Sequence, residues 1–578
     1  MKKEKKISLV IDGKKILAGK GQTVLDIARE NGIEIPALCS HPDLTIKANC
    51  RICVVEIKGK KGLFPACATK VEPEMEILTN SSKIKRARRI NLELIFSQHK
   101  EECDDCVWRY NCQLLHLAEK NKVKITRFPD RKTNYSIYQF GNAVIFDSSK
   151  CVDCRNCVEV CEKQGVSFLE LETKRKMIQV VPSKKESKDC IYCGQCITHC
   201  PAGAFEAVGE FEEIEKPLKE KGKIVIVQFA PAIRTSLGEE FGLAPGEVVT
   251  GKIVAALRRL GFAKIFDTSV GADFTTFEES KEIIERLKTE KNLPLLNSCC
   301  PAWVKYIEFF YPEFIPNLTT TKSPQIILGG LIKTYWAEKE GVDPEKIVVV
   351  SVMPCVAKKY EISRPELEIN GLKPVDYVLT TRELSRLLIK RGIDFAKLKS
   401  EKLDDFFGEP SGAGIIYGAS GGVMESAFRT TYEKLTGRKL KKFEFKEMRG
   451  QKGIKEAEIK INGEVKKVAV INGLGNAKEF LEKIKSNPQE KYACIEVMAC
   501  PGGCIGGGGQ PLPTDSKIRK ARALGLYKID SQKKIRQAHE NPIVKKVYQD
   551  FLKKEKLSHQ ILHTSYSRQK KGKIKKLN

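Results

Sequence analysis

Two cysteine runs constrain this chain more tightly than anything else in it. Cys151-x2-Cys154-x2-Cys157-x3-Cys161 recurs as Cys190-x2-Cys193-x2-Cys196-x3-Cys200-Pro201. Closely spaced thiolates of this kind enclose a four-iron cluster, and in a paired run each fourth cysteine serves the other cluster. The spacing therefore groups Cys151, Cys154, Cys157 and Cys200 around one [4Fe-4S] cluster and Cys190, Cys193, Cys196 and Cys161 around a second. Glu162 stands where proline is usual, which leaves the ligand count intact. A pair of zinc sites is the competing reading. Clusters this close in sequence form a chain for electrons.

The chain has 21 cysteines in 578 residues and no secretory signal, which points to a reducing compartment and metal thiolates. Length suggests about four domains. No apolar run reaches ~18 residues, and the Met1 to Lys6 start leads into a strand pattern, so a soluble cytoplasmic protein with no membrane contact is expected. The net charge of +28 suits nucleic acid, an acidic partner or a lysine-rich proteome. Scattered lysines and the lack of a nucleic-acid-binding signature argue against the first.

In the segment 1–80, Ile7, Leu9 and Ile11 alternate, Asp12-Gly13 is a hairpin turn, and Lys14 to Ala18 returns. Thr23 caps a helical pattern that stops at Asn31-Gly32. Cys39, Cys50, Cys53 and Cys67 follow, suited to a [2Fe-2S] cluster or to zinc. The hairpin-helix-cysteine order resembles a ferredoxin-like β-grasp domain, and the long Cys39–Cys50 spacing resembles the version found in larger redox enzymes. In 81–125 a basic amphipathic helix, Ile84 to Phe96, precedes His99-x3-Cys103-x2-Cys106-x5-Cys112. One imidazole and three thiolates suit zinc or a [4Fe-4S] cluster, and spacing alone does not separate them. Position between two other clusters favours iron.

A two-cluster ferredoxin domain is expected over 140–209 and a large α/β domain over 222–545, with a C-terminal helix and basic tail over 546–578. The α/β pattern places ligands at the carboxyl ends of strands. Ile224 to Phe229 runs into Ala230-Pro231; Lys264 to Phe266 precedes a helix from about Asp273 to Lys288. Leu293 to Leu296 ends at Asn297-Ser298-Cys299-Cys300, and Ile347 to Val352 ends at Met353-Pro354-Cys355 with Lys358 beyond. Far downstream lies Met498-Ala499-Cys500-Pro501-Gly502-Gly503-Cys504, followed by a glycine run that lets backbone approach a bulky cofactor. Adjacent side chains on an extended segment point apart, so Cys300 can bind a metal while Cys299 does not. A vicinal disulfide is the alternative.

Together with the cluster order, these segments resemble the catalytic subunit of [FeFe] hydrogenases, most closely the monomeric clostridial type with four accessory clusters. The resemblance implies a multidomain α+β protein: β-grasp domain, His/Cys segment, two-[4Fe-4S] ferredoxin domain and α/β H-cluster domain. It implies one [2Fe-2S] cluster, three accessory [4Fe-4S] clusters, and an H-cluster whose [4Fe-4S] part is held by Cys300, Cys355, Cys500 and Cys504. Cys504 would bridge to a two-iron subsite carrying carbon monoxide, cyanide and azadithiolate. Lys358 would donate to a cyanide, with Ala230, Pro231, Ser323, Gln325, Met353, Tyr417 and Met498 around it. The family's proton route maps onto Cys299, Glu279, Thr319, Glu282 and Arg286. Reversible H2 formation from protons, an acidic ferredoxin as electron partner, dedicated maturation proteins and a monomeric state are further implications.

Three positions depart from the family pattern: Asn297 for a usual threonine, Thr319 for serine, and Tyr417 for phenylalanine. From the residues alone, Glu279, Glu282 and Arg286 share one helical face, which also suits a solvated stripe. Gly473-Leu474-Gly475 hints at a dinucleotide loop, but Lys478 occupies the third glycine's place, so a turn is expected. Cys494 is expected to be a core thiol, and the last eleven residues, with six basic and no acidic side chains, a disordered tail. The competing functions are the catalytic subunit of a flavin- and NAD-linked complex, a redox or hydrogen sensor, and an iron-sulfur scaffold.

Overall fold

The computed structural model describes residues 6–100, 103, 106, 112–129, 136–174, 177–440, 442–461, 464–553 and 555–577. The chain start through Lys5, weighed above against a signal peptide, lies outside them, as does Asn578.

Ile7–Ile11 and Lys14–Ala18 form the expected hairpin, with Asp12 and Gly13 at φ of 48° and 82°. Aspartate and glycine tolerate that left-handed geometry, which a tight two-residue turn requires. Glu76–Leu78 adds parallel to Ile7–Ile11, and Val54–Ile57 and Phe64–Pro65 complete a five-stranded sheet. The Val24–Glu30 helix buries Val24, Leu25, Ile27 and Ala28 in the same core. Thr23 and Asp26 cap its start reciprocally, satisfying two orphan N–H groups. The next helix begins at Ser82, two residues before the expected Ile84, because the Ser81 hydroxyl accepts from the Ile84 N–H.

Two four-stranded sheets build the half of the chain from residue 222 onward. The first runs Lys264–Asp267, Ile224–Phe229, Ile347–Met353 and Tyr377–Thr380, all parallel. The second runs Leu295–Leu296, Tyr492–Met498, Glu464–Asn472 and Ile454–Ile461, parallel except at its last pair. Parallel central strands are covered on both faces, which explains their unbroken apolar runs. The long helix spans Thr268–Thr289, five residues earlier than expected, because Asp267 caps it directly from the strand end.

The two-cluster segment shares one hydrophobic core with the half from residue 222 onward. Phe140, Phe168 and Phe205 belong to the same buried cluster as Trp303, Tyr306, Ile495 and Val497. Burial of an aromatic of this size contributes roughly 1.5–3 kcal/mol, so these residues resist separation of the two parts. Gly473 turns the Glu464–Asn472 strand into the Leu474–Ser486 helix. A Cβ on Gly475 would lie 2.1 Å from the Lys163 carbonyl oxygen, so that glycine serves close contact with the two-cluster segment.

The expected disordered tail is corrected. Ile574–Leu577 pairs antiparallel with Ile137–Phe140 and becomes the edge of a four-stranded sheet. The open backbone edge at 137–140 offers the hydrogen bonds that the tail's basic composition conceals. The Lys571 ammonium also donates to the Lys185 carbonyl at 2.7 Å.

Candidate active site

Both sheets of the half from residue 222 onward direct their carboxyl ends at one buried pocket, as α/β topology requires of a site. Ala230 and Pro231 arrive from Ile224–Phe229, Met353 and Cys355 from Ile347–Met353, Cys299 and Cys300 from Leu295–Leu296, and Met498, Cys500 and Cys504 from Tyr492–Met498. Gln325, Lys358 and Tyr417 close the walls. Ser323 stands just before the lining residue Pro324. Gly503 and Gly507 line the pocket too, but their closest approach is to protein: a Cβ on Gly507 would sit 2.2 Å from the Pro354 oxygen. These glycines also let loop pack closely against loop.

The donor set fits a cluster. Burial pushes the Cys300, Cys355, Cys500 and Cys504 thiols upward, and their mutual charges push Cys500 and Cys504 further. Such thiols ionise only onto a metal. The Ser323 hydroxyl and Gln325 Oε1 are buried with no hydrogen-bond partner among the described residues, as expected where a group is still to be bound. Burial opposes the Lys358 ammonium, but Glu361 at 2.9 Å overrides it and raises its pKa. Lys358 also donates to the Cys299 carbonyl at 3.1 Å.

The residues expected to carry protons lie along the Thr268–Thr289 helix and the strand ends beside it. Glu279 is 2% exposed, and burial, with the Glu282 and Glu496 charges, pushes its carboxyl up to about 8. Burial and the Glu279 charge push the Cys299 thiol well above its ordinary range, so Cys299 holds its proton at neutral pH more firmly than an exposed cysteine would. The Thr319 hydroxyl donates to Glu282 Oε2 at 2.5 Å, and Arg286 to Glu282 Oε1 at 2.6 Å. The helical face is thus buried: Glu279 and Arg286 are 2% and 9% exposed, which sets the solvated stripe aside.

The accessory cysteines cluster as their spacing suggests. Cys39 accepts from the Cys50 N–H at 3.5 Å, and Cys67 feels the charges of Cys53, Cys39 and Cys50. Cys151, Cys154 and Cys157 feel Cys200, while Cys190 and Cys193 feel Cys161. His99 lines a small cavity with Cys103, Cys106 and Cys112. Its Nδ1 donates to the Lys150 carbonyl at 2.8 Å. Cys494 is a core thiol, 1% exposed beside Leu295 and Val468.

Sequence reasoning named Asn297 and Tyr417 but not what they touch, and it missed Glu361. Asn297 proves to be a brace: it donates to Cys299 Sγ and the Val497 carbonyl at 3.4 Å each and accepts from the Val497 N–H at 2.7 Å. The Tyr417 hydroxyl lies 3.5 Å from Glu279 Oε2 and 2.9 Å from Thr276 Oγ1, contacts a phenylalanine could not make. Glu361 had a legible signal, sitting one helical turn after Lys358.

A buried thiol-walled pocket joined to further thiol clusters defines an iron–sulfur redox enzyme. Residues 223–508 match the family described as iron only hydrogenase large subunit, C-terminal domain, and 516–569 match the iron hydrogenase small subunit. Residues 4–82 match a 2Fe-2S iron-sulfur cluster binding domain and 150–204 a 4Fe-4S dicluster domain. The chain is 43% identical to the NADP-reducing hydrogenase subunit HndD of Solidesulfovibrio fructosivorans, over 97% of this chain and 98% of that one. It is 39% identical to iron hydrogenase 1 of Clostridium pasteurianum, over 97% and 100%. The apo [FeFe]-hydrogenase HydA1 from Chlamydomonas reinhardtii superposes with a TM-score of 0.56 at 38% identity, covering 62% of this chain and 99% of that one. The chain belongs to the [FeFe] hydrogenases, enzymes that interconvert protons and H2 at an H-cluster. No helix among the described residues is long and apolar enough to cross a membrane.

Proposed function

We propose that this chain is a ferredoxin-linked [FeFe] hydrogenase with one [2Fe-2S] and three accessory [4Fe-4S] clusters at the ligands named above. The observation that carries the reading is the fifth thiol. All five thiols line one pocket, but Cys299 accepts from the Asn297 amide and feels the Glu279 charge, whereas Cys300, Cys355, Cys500 and Cys504 are left to hold the cluster. When bound, the two-iron subsite supplies the metal at which protons and electrons combine. Lys358, fixed by Glu361, offers an ammonium to an anionic ligand, which charge-assisted hydrogen bonding favours in a buried site. Cys299 holds a proton beside the pocket, and Glu279, Thr319 and Glu282 follow it toward the surface. Hydroxyls between carboxyl groups both accept and donate, as a relay requires.

Contacts between modules support a forked electron path. Asn49 donates to the Asp153 carbonyl at 3.4 Å, and His99 reaches Lys150, so both outer clusters abut the Cys151 run. The domain divisions 1–80, 81–125, 140–209, 222–545 and 546–578 follow this order. A monomer, loaded in the cytoplasm by dedicated maturation proteins, completes the reading.

The +28 charge favours an acidic ferredoxin, since opposite charges speed encounter and salt screens them. The test is H2 evolution with reduced ferredoxin from low to high ionic strength. A falling rate is expected, with a smaller change for a small dye; a flat ferredoxin rate rejects the docking reading. A second reading rests on the 43% identity to a subunit of an NADP-reducing hydrogenase. Stable co-purification with a flavoprotein, and NADPH-linked turnover in that complex, would favour it.

A further inference from the structure

Arg286, at the end of the proton route, is bonded inward to backbone and to Glu282. Its Nη1 donates to the Asn292 and Asn317 carbonyls at 3.0 and 2.8 Å, and its Nη2 to the Leu318 carbonyl at 2.8 Å as well as to Glu282. A guanidinium has no lone pair to accept a proton and does not give one up in a folded protein. Arg286 therefore positions Glu282 and passes no proton itself.

The other Glu282 oxygen faces a second hydroxyl. The Thr320 N–H donates to Oε2 at 3.1 Å, and Thr320 Oγ1 lies 3.5 Å from it. That same Oγ1, on an exposed residue, is 3.0 Å from His563 Nδ1. The other ring nitrogen, Nε2, is 3.3 Å from Glu278 Oε2. Burial works against the Glu278 carboxylate, but His563, Lys281 and Tyr548 override it and hold its pKa down at about 2. Lys281 donates to the other oxygen, Glu278 Oε1, at 2.7 Å, and the Tyr548 hydroxyl donates to Oε1 as well. A permanent carboxylate at Nε2 places the hydrogen there and turns the Nδ1 lone pair toward Thr320. The next ring, His559, is 5.4 Å away between centroids.

We propose that His563 is the surface relay residue through which protons reach Glu282, by way of Thr320. The proposal rests on the Cys299–Glu279–Thr319–Glu282 reading above. In H2 evolution the N–H bond at Nδ1 of the imidazolium breaks as the Thr320 oxygen takes that proton. The original Thr320 O–H proton passes to Glu282 Oε2, and bulk water reprotonates the ring. H2 oxidation runs the same transfers backward, and no electron moves in this step. Glu278 holds the ring in place from its Nε2 side, much as a carboxylate orients a histidine base.

The test uses the full matured chain with His563→Ala, His563→Gln and Thr320→Val. H2 evolution should fall about tenfold in each, less than the ~100-fold typical of a group at the reacting atoms, because water partly replaces a relay at the surface end, where Thr320 is exposed and His563 half-buried. Added imidazole should restore both His563 variants but not Thr320→Val. The cluster infrared bands of the His563 variants should stay unchanged. A readout without turnover is deuterium uptake by the buried Glu279 carboxyl after dilution into D2O, which should slow and respond to imidazole likewise. Wild-type rates and uptake in both His563 variants, or losses that imidazole does not repair, would overturn the proposal. Glu282→Gln separates the two levels: if it abolishes turnover while the His563 variants stay normal, only the exit is wrong. If Glu282→Gln keeps turnover, the route itself is wrong.

Discussion

Cys500 Sγ lies 3.9 Å from the backbone carbonyl oxygen of Cys193, so a pocket thiol of the catalytic half touches the second cysteine run directly. Gly508 and Gly194 make this approach possible. A Cβ on Gly508 would sit 2.7 Å from the Gly194 Cα, and one on Gly194 2.8 Å from the Gly508 Cα. Gly194 also takes a φ of +70°, which disfavours any side chain there.

Gly508→Ala should force these segments apart and destabilise the protein by roughly 1–3 kcal/mol, the usual cost of overpacking. Electron transfer weakens steeply with distance, so dye-driven H2 evolution should fall. Exchange of H2 with D2O, which needs no outside electron, should persist. Equal losses in both assays would show that the contact does not govern the electron path.

Cys299→Ala should leave the carbonyl and cyanide infrared bands in place while H2 turnover drops at least ~100-fold, the lower end of a general-acid contribution. Cys494→Ala, in a core strand, should be nearly silent in turnover. Loss of the bands in Cys299→Ala would make that thiol a ligand.

Glu279 has a defined pH signature. Its folded-state pKa of about 8 stands above the ordinary 4.5, so the folded chain holds this proton more tightly than the unfolded chain. Its contribution to stability is full below about pH 4.5 and is lost as pH rises through about 8. Glu279→Gln, similar in size but uncharged, should lose less stability than wild type between pH 5 and 9 in chemical denaturation, and should lose turnover. Parallel stability curves for the two proteins would contradict the assignment of a buried, protonated carboxyl.

Anaerobically matured protein should contain about 20 iron atoms per chain if every ligand set fills as assigned, with zinc absent. His99→Ala should lower iron by up to four atoms and alter only one cluster's electron paramagnetic resonance signal. Stoichiometric zinc with correspondingly less iron would place zinc at His99, Cys103, Cys106 and Cys112.

The local chemistry of this protein was legible in its sequence because metal ligands and tight turns are specified at short range. Thiolate spacing revealed the paired runs, and Asp12-Gly13 revealed its hairpin, since so few residues accept a left-handed turn. The resemblance to hydrogenases supplied what spacing could not, the set of Cys300, Cys355, Cys500 and Cys504. Only the tertiary structure decided where long-range partners meet. Asn297 finds Val497 two hundred residues away, Thr320 finds His563, and the basic tail finds the open edge at 137–140. It also decided protonation, turning Glu279 from a plausible surface carboxylate into a buried acid. A side chain's desolvation and its hydrogen-bond partners depend on everything folded around it, and neighbouring residues in the sequence do not encode that environment.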